Sequence, residues 1–148
     1  MFTVTAGPNV VTDAAGAALC HSTRQDKGAC NAARRRAVKA VWHAALIRAG
    51  LSDGVTVKCA ATGARIAFGA GMDERDGFAD FGHYVSDAAD GAYCGCNAFP
   101  IEGSNNRSNG DARQDVSAWT ATEHAAMRAA YRVESLAAMT ATKRKRAV

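Results

Sequence analysis

The order of elements written into residues 78–111 constrains this chain more than any other feature. Phe78, Asp80, Gly82 and Tyr84 alternate with Ala79, Phe81, His83 and Val85, the two-residue period of a pleated strand. Asp90-Gly91 and Gly95 are turn formers, and Asn97 to Ile101 is a second short apolar run. Ser104 or Asn105 then reads as the cap of a short helix that holds Asn106 in its first turn. The stretch is therefore expected to be a two-strand hairpin followed by a helix. Asn97 comes fourteen residues after His83, and Asn106 nine residues after Asn97.

Such a fold brings an imidazole from a strand close to a carboxamide on a helix start. A neutral imidazole beside a bound divalent cation is a water-activating pair. His83, Asn97 and Asn106, in that order and at those spacings, resemble the HNH or ββα-metal nuclease family, and Asn106-Arg107-Ser108-Asn109-Gly110-Asp111 resembles its closing segment. The resemblance covers about a quarter of the chain, from Phe78 to Asp111. It implies an α+β fold. A ββα-metal (HNH-like) unit would span 78–112, with a β-hairpin before it and an N-terminal and a C-terminal helix packed around it. It also implies His83 as general base and Asn106 as oxygen ligand to one divalent cation, Mg²⁺ first and Mn²⁺ as the alternative. Asn97 would tie the loop across the hairpin and hold the His83 backbone. Arg107 would contact the phosphate.

The chain departs from the family in three places. Gly82 stands where many members have an acid or His as a second metal ligand. Asp80-Phe81-Gly82-His83 is instead similar to the Asp-Arg-Gly-His motif of the sugar-non-specific nucleases, with Phe81 in place of the Arg. That likeness makes Asp80 a metal ligand or a partner of the ligand. Asp111 and Asp115 would orient metal-bound waters. Finally, Cys59-Ala60-Ala61-Thr62 and Ser104-Asn105 stand where family members carry Cys-x-x-Cys knuckles. No structural zinc is expected, and apolar packing must hold the hairpin instead.

The rest of the chain frames this unit. Residues 1–28 read as an arm, 29–140 as a single domain and 141–148 as a disordered basic tail. Within the arm, Cys20 and His21 are adjacent and only Cys30 joins them, a poor chelating set. Asn31 to Ala49 is the clearest helix, with Val38, Val41, Trp42, Ala45, Leu46 and Ala49 on one stripe and Gly50 at its end. Arg35, Arg36, Lys39 and Arg48 lie off the stripe. They are a nucleic-acid-binding face or a solubilising one. Val55, Val57 and Cys59 alternate with Thr56 and Lys58, and Thr62-Gly63 turns the chain toward Ile66 and Phe68, a second hairpin. Cys94 and Cys96 read as small thiols in a tight loop. Trp119 to Met139 is a second long helix that opens on the capping box Thr120-x-x-Glu123. His43 and His124 read as packing or surface residues.

Composition narrows the partner. The net charge is +4, with Lys and Arg gathered in 24–39 and 143–146 and acids in 73–90. Basic flanks around an acidic centre suit a protein that grips phosphates at its edges. Hydrophobic residues make up 48% and much of that is Ala, so a helical core of small side chains is expected. Five cysteines, an odd number, and a start without a charged region and apolar core point to a reducing cytoplasm, bacterial or phage-infected. No apolar run reaches the roughly 20 residues of a membrane helix. The leading expectation is a metal-dependent endonuclease acting on DNA. The alternatives are a catalytically decayed HNH-fold nucleic-acid-binding protein and a protein whose His and Asn residues only satisfy loop hydrogen bonds. One chain carries one such site, so cutting both strands takes a dimer or two encounters.

Overall fold

The computed structural model describes residues 32–68, 77–83, 94–109 and 116–147. The expectations for the arm with Cys20, His21 and Cys30, for Asp90-Gly91, and for Asp111 and Asp115 fall outside these. The described residues form an α+β fold with three α-helices and two small antiparallel sheets.

Helix α1 spans Ala32–Arg48. Its buried residues are Val38, Val41, Trp42, Ala45 and Leu46, the stripe read from the sequence. Gly50 ends it with φ +73°, a conformation that costs glycine nothing. The N–H of Gly50 reaches the Ile47 carbonyl and that of Leu51 the Leu46 carbonyl, which satisfies the open end of the helix.

Strands β1 (Thr56–Lys58) and β2 (Arg65–Ala67) pair antiparallel with Val57 opposite Ile66. Val57, Cys59, Ile66 and Phe68 are buried. Val55 was expected to continue their alternation, but it precedes the strand and is 70% exposed. The Asp53 carboxylate explains this: it accepts the N–H groups of Val55 and Thr56 and makes a local turn there instead of strand.

Strands β3 (Ala79–His83) and β4 (Ala98–Glu102) form the second antiparallel pair, running from Ala79 opposite Glu102 to His83 opposite Ala98. A 3-10 turn, Gly95–Asn97, leads into β4, and helix α2 (Gly103–Asn109) leaves it. The cap of α2 is Glu102, not Ser104 or Asn105. Its carboxylate accepts the N–H groups of Ser104 at 3.1 Å and Asn105 at 3.2 Å.

Helix α3 spans Ala121–Ala147. Thr120 and Glu123 exchange side-chain to backbone hydrogen bonds at its start, the expected capping box, and Glu123 also accepts from Lys58 Nζ at 2.8 Å. Residues 141–147 continue this helix, where the sequence alone suggested chain without regular structure. The run of alanines and long basic residues there has high helix propensity. Along α3, Met127, Ala130 and Tyr131 are buried. Leu136 and Ala137 face solvent, and Ser135 takes the buried position.

Two-stranded sheets are marginal by themselves. Here they are joined edge to edge, with the Ala60 N–H on the Pro100 carbonyl at 2.8 Å and an Ala67–Phe78 bridge, and the helices cover them. α1 and α3 pack against each other, and Arg48 pairs with Glu134 across them at 2.6 Å. The core mixes large side chains with small ones such as Ala45, Ala60, Ala79, Ala98 and Ala130. Trp42, Tyr131, Phe99, Leu46, Ile101 and Met127 are the largest fully buried residues, while Ala37, Ala40, Ala125, Ala126 and Ala129 lie on exposed helix faces. Alanine favours helix without needing burial, so part of its abundance belongs to exposed helix faces.

Candidate functional site

The β3–β4 register divides the hairpin's side chains between two faces. Ala79, Phe81 and His83 share one face with Ala98, Pro100 and Glu102. Asp80 and Gly82 share the other with Phe99 and Ile101. On the first face Trp42 of α1 meets Phe81 edge-on at 4.8 Å. Phe81 meets the His83 ring edge-on at 5.4 Å. This packing leaves His83 half-buried at the end of the strand.

On the second face Gly82 has no room for a side chain. A Cβ there would stand 2.6 Å from the Phe99 ring and 2.9 Å from Ile101 Cγ2. Asp80 is buried, and its Oδ2 accepts a hydrogen bond from Asn106 Nδ2 at 2.7 Å. Its Oδ1 accepts the N–H of Phe81 at 2.8 Å. A carboxylate accepts only, so the Asn106 amide must offer Asp80 its nitrogen, and its carbonyl oxygen is turned away from the carboxylate.

Two of the sequence-selected residues are thus in contact, Asp80 and Asn106, twenty-six positions apart. Two others lie at one end of the hairpin. His83 pairs with Ala98, and Asn97, fully buried, is the residue just before Ala98. His83 therefore lies across the strand from the Asp80–Asn106 pair. Arg35, Arg36 and Arg107 are exposed and Lys39 is half-buried. Of the other histidines, His43 stacks on Phe68 at 4.3 Å, and His124 is buried in α3 with its pKa pushed down to about 4 by burial and by Arg128. Both are packing residues.

Sequence reasoning missed Glu102. Its carboxylate accepts from the Ser104 hydroxyl and N–H, from Gly77 N at 2.7 Å and from Asn105 N. The Ser104 hydroxyl first, then the backbone donors, pull its pKa down to about 2. An acid directly before a short helix was the available signal. Burial opposes ionisation of Cys59. The Thr62 hydroxyl and the backbone N–H groups of Glu102, Thr62 and Ala61 outweigh this and hold the thiol below its ordinary value.

Among the described residues no three His, Cys, Asp or Glu side chains gather as a metal-binding group. The Asp80 carboxylate already accepts from Asn106 Nδ2 and the Phe81 N–H, so of this pair the Asn106 amide oxygen is the atom that would face a cation. Such a hard oxygen donor suits Mg²⁺ or Mn²⁺, ions that keep much of their water shell. Among the described residues no helix is long and apolar enough to cross a membrane. No family model, curated protein or solved structure matches this chain.

Proposed function

We propose that this protein is a ββα-metal-type endonuclease that hydrolyses phosphodiester bonds in DNA. The Asp80–Asn106 hydrogen bond is the observation that carries the reading, because it holds the amide by its nitrogen and leaves the oxygen directed away from the carboxylate. In the HNH pattern the strand's metal ligand is the residue before the His, hence on the opposite face from it. Gly82 holds that position here, and Phe99 and Ile101 leave no space for a ligand. Asp80 is the next residue along the same face and takes over the acidic role. His83 stands on the other face of the hairpin from Asp80 and Asn106, not beside the carboxamide as the sequence alone suggested, so in this reading it acts from across the strand.

In this reading His83 accepts the proton of the attacking water, and its ring is held edge-on by Phe81. Asp80 holds the Asn106 amide by its nitrogen, and Asn106 presents its oxygen. Asn97, buried beside the last rung of the ladder, fixes the strand end that carries His83. The Asn106 amide oxygen, with Asp80 behind it, would hold a divalent cation, which would supply positive charge at the scissile phosphate and the leaving oxygen. Arg35, Arg36, Lys39 and Arg107 grip the nucleic-acid backbone.

Supercoiled plasmid incubated with the purified protein and Mg²⁺ or Mn²⁺ tests the proposal. Cleavage should stop in excess EDTA and fall about 10²- to 10⁴-fold in His83→Ala, the usual contribution of a general base. Undiminished cleavage in either case sinks the mechanism. One observation favours a second reading. Phe81 stands where the related motif has an Arg, and it is packed against Trp42. A nucleic-acid-binding protein on a decayed nuclease fold would bind DNA in a salt-sensitive way and cleave under no divalent cation.

A further inference from the structure

Glu102 lies where three parts of the chain meet. It is the last residue of β4, directly across from Ala79 at the start of β3. Its carboxylate accepts the Gly77 N–H just before β3 and two N–H groups at the start of α2. The Gly103 N–H adds a bond to the Phe78 carbonyl at 3.0 Å. One side chain thus sets both the entry of the strand that carries Asp80 and the pitch of the helix that carries Asn106. α2 has only seven residues and cannot hold its place unaided.

We infer that Glu102 is the positioning residue of the Asp80–Asn106 pair, clamping strand β3 and helix α2 in the register that lets Asn106 present its oxygen to a cation. The inference rests on the proposed metal site. Glu102 itself takes no part in binding, since its acceptor oxygens are occupied by Gly77, Ser104 and Asn105. Removing it frees the helix to shift along the sheet. A shift of about one ångström is enough to break a 2.7 Å contact.

Mn²⁺ titration of the full chain, read by electron paramagnetic resonance at a temperature well below melting, tests this. Near-UV circular dichroism reports the folded fraction alongside. Glu102→Ala should weaken Mn²⁺ about 10- to 100-fold, the usual cost of losing a support behind a metal ligand. Glu102→Gln keeps the volume and one acceptor oxygen and should fall between Glu102→Ala and the wild type. A role confined to stability would lower the melting midpoint and leave the affinity of the folded protein unchanged. That result overturns the inference while sparing the metal site. If Glu102→Ala does not fold, Glu102→Gln decides alone, and an unchanged affinity overturns the inference. A wild-type chain that binds no Mn²⁺ overturns the metal site itself and this inference with it.

Discussion

Asn106 on helix α2 and Asp80 on strand β3 are joined by a 2.7 Å side-chain hydrogen bond on the face of the hairpin opposite His83. Because Asp80 is buried, the bond forms where water competes weakly, and the charge on the acceptor strengthens it. Asp80→Ala is expected to cost about 1–3 kcal/mol of stability and to weaken Mn²⁺ about 10- to 100-fold. Asn106→Ala should do likewise. The double variant should lose less than the sum of the two, by about 0.5–3 kcal/mol, as residues in contact do. Urea unfolding of the four proteins measures this cycle, and strict additivity would mean that the bond does not form in solution.

Two glycines are expected to resist replacement for steric reasons. A Cβ on Gly82 runs into Phe99 and Ile101, and one on Gly95 runs into the Tyr131 ring. None of these rings and branches is the free end of a flexible chain, and all three residues are buried. Gly82→Ala and Gly95→Ala should each cost about 1–3 kcal/mol, the range for overpacking. Gly50→Ala meets no neighbour and is penalised only through its positive φ, about 1 kcal/mol. Equal urea midpoints for Gly82→Ala and the wild type would show that the Phe99 ring can move aside.

How far the sequence foretold these relationships follows from how local their causes are. The α1 stripe and the capping box of α3 depend on residues within one or two turns, and both were legible. The strand–turn–strand–helix order around His83, Asn97 and Asn106 was legible for the same reason. The role of Glu102 was hidden because one of its partners, Gly77, is twenty-five residues away and meets it only once β3 and β4 have paired. The Asp80–Asn106 bond depends on that same register.

Stability should fall on acidification in two windows with different causes. Burial and Arg128 push the His124 imidazole down to about 4, so the folded chain keeps it neutral while the unfolded chain takes up a proton below its usual 6.5. The contribution is complete above that value and drains away as the pH falls toward 4, by about 3 kcal/mol. His124→Leu should flatten the urea midpoint between pH 6.5 and 4. Glu102 has its ordinary value of 4.5 lowered to about 2, so its share is complete above 4.5 and disappears as the pH falls toward 2. That share is modest, because the carboxylate is only partly buried. Glu102→Gln should alter the profile only in this lower window. A wild-type profile level from pH 6.5 to 4 would contradict the buried neutral state of His124.

The basic face of α1 makes a separate prediction about DNA. Arg35, Arg36 and Lys39 lie off the buried stripe of Val38, Val41 and Trp42, on the side that α1 turns toward solvent. If the three cations contact phosphates, each releases counterions on binding, and the salt dependence of the affinity reports their number. Replacing all three with Gln should reduce the slope of log affinity against log salt by about 3, one for each charge, whatever the DNA sequence. Stability should hardly change, since charges on a solvent-facing helix side contribute little. A solubilising face would behave differently: the same triple variant would aggregate at lower concentration while its salt slope stayed that of the wild type. Fluorescence anisotropy across a salt series separates the two, and an unaltered slope would remove α1 from the nucleic-acid surface.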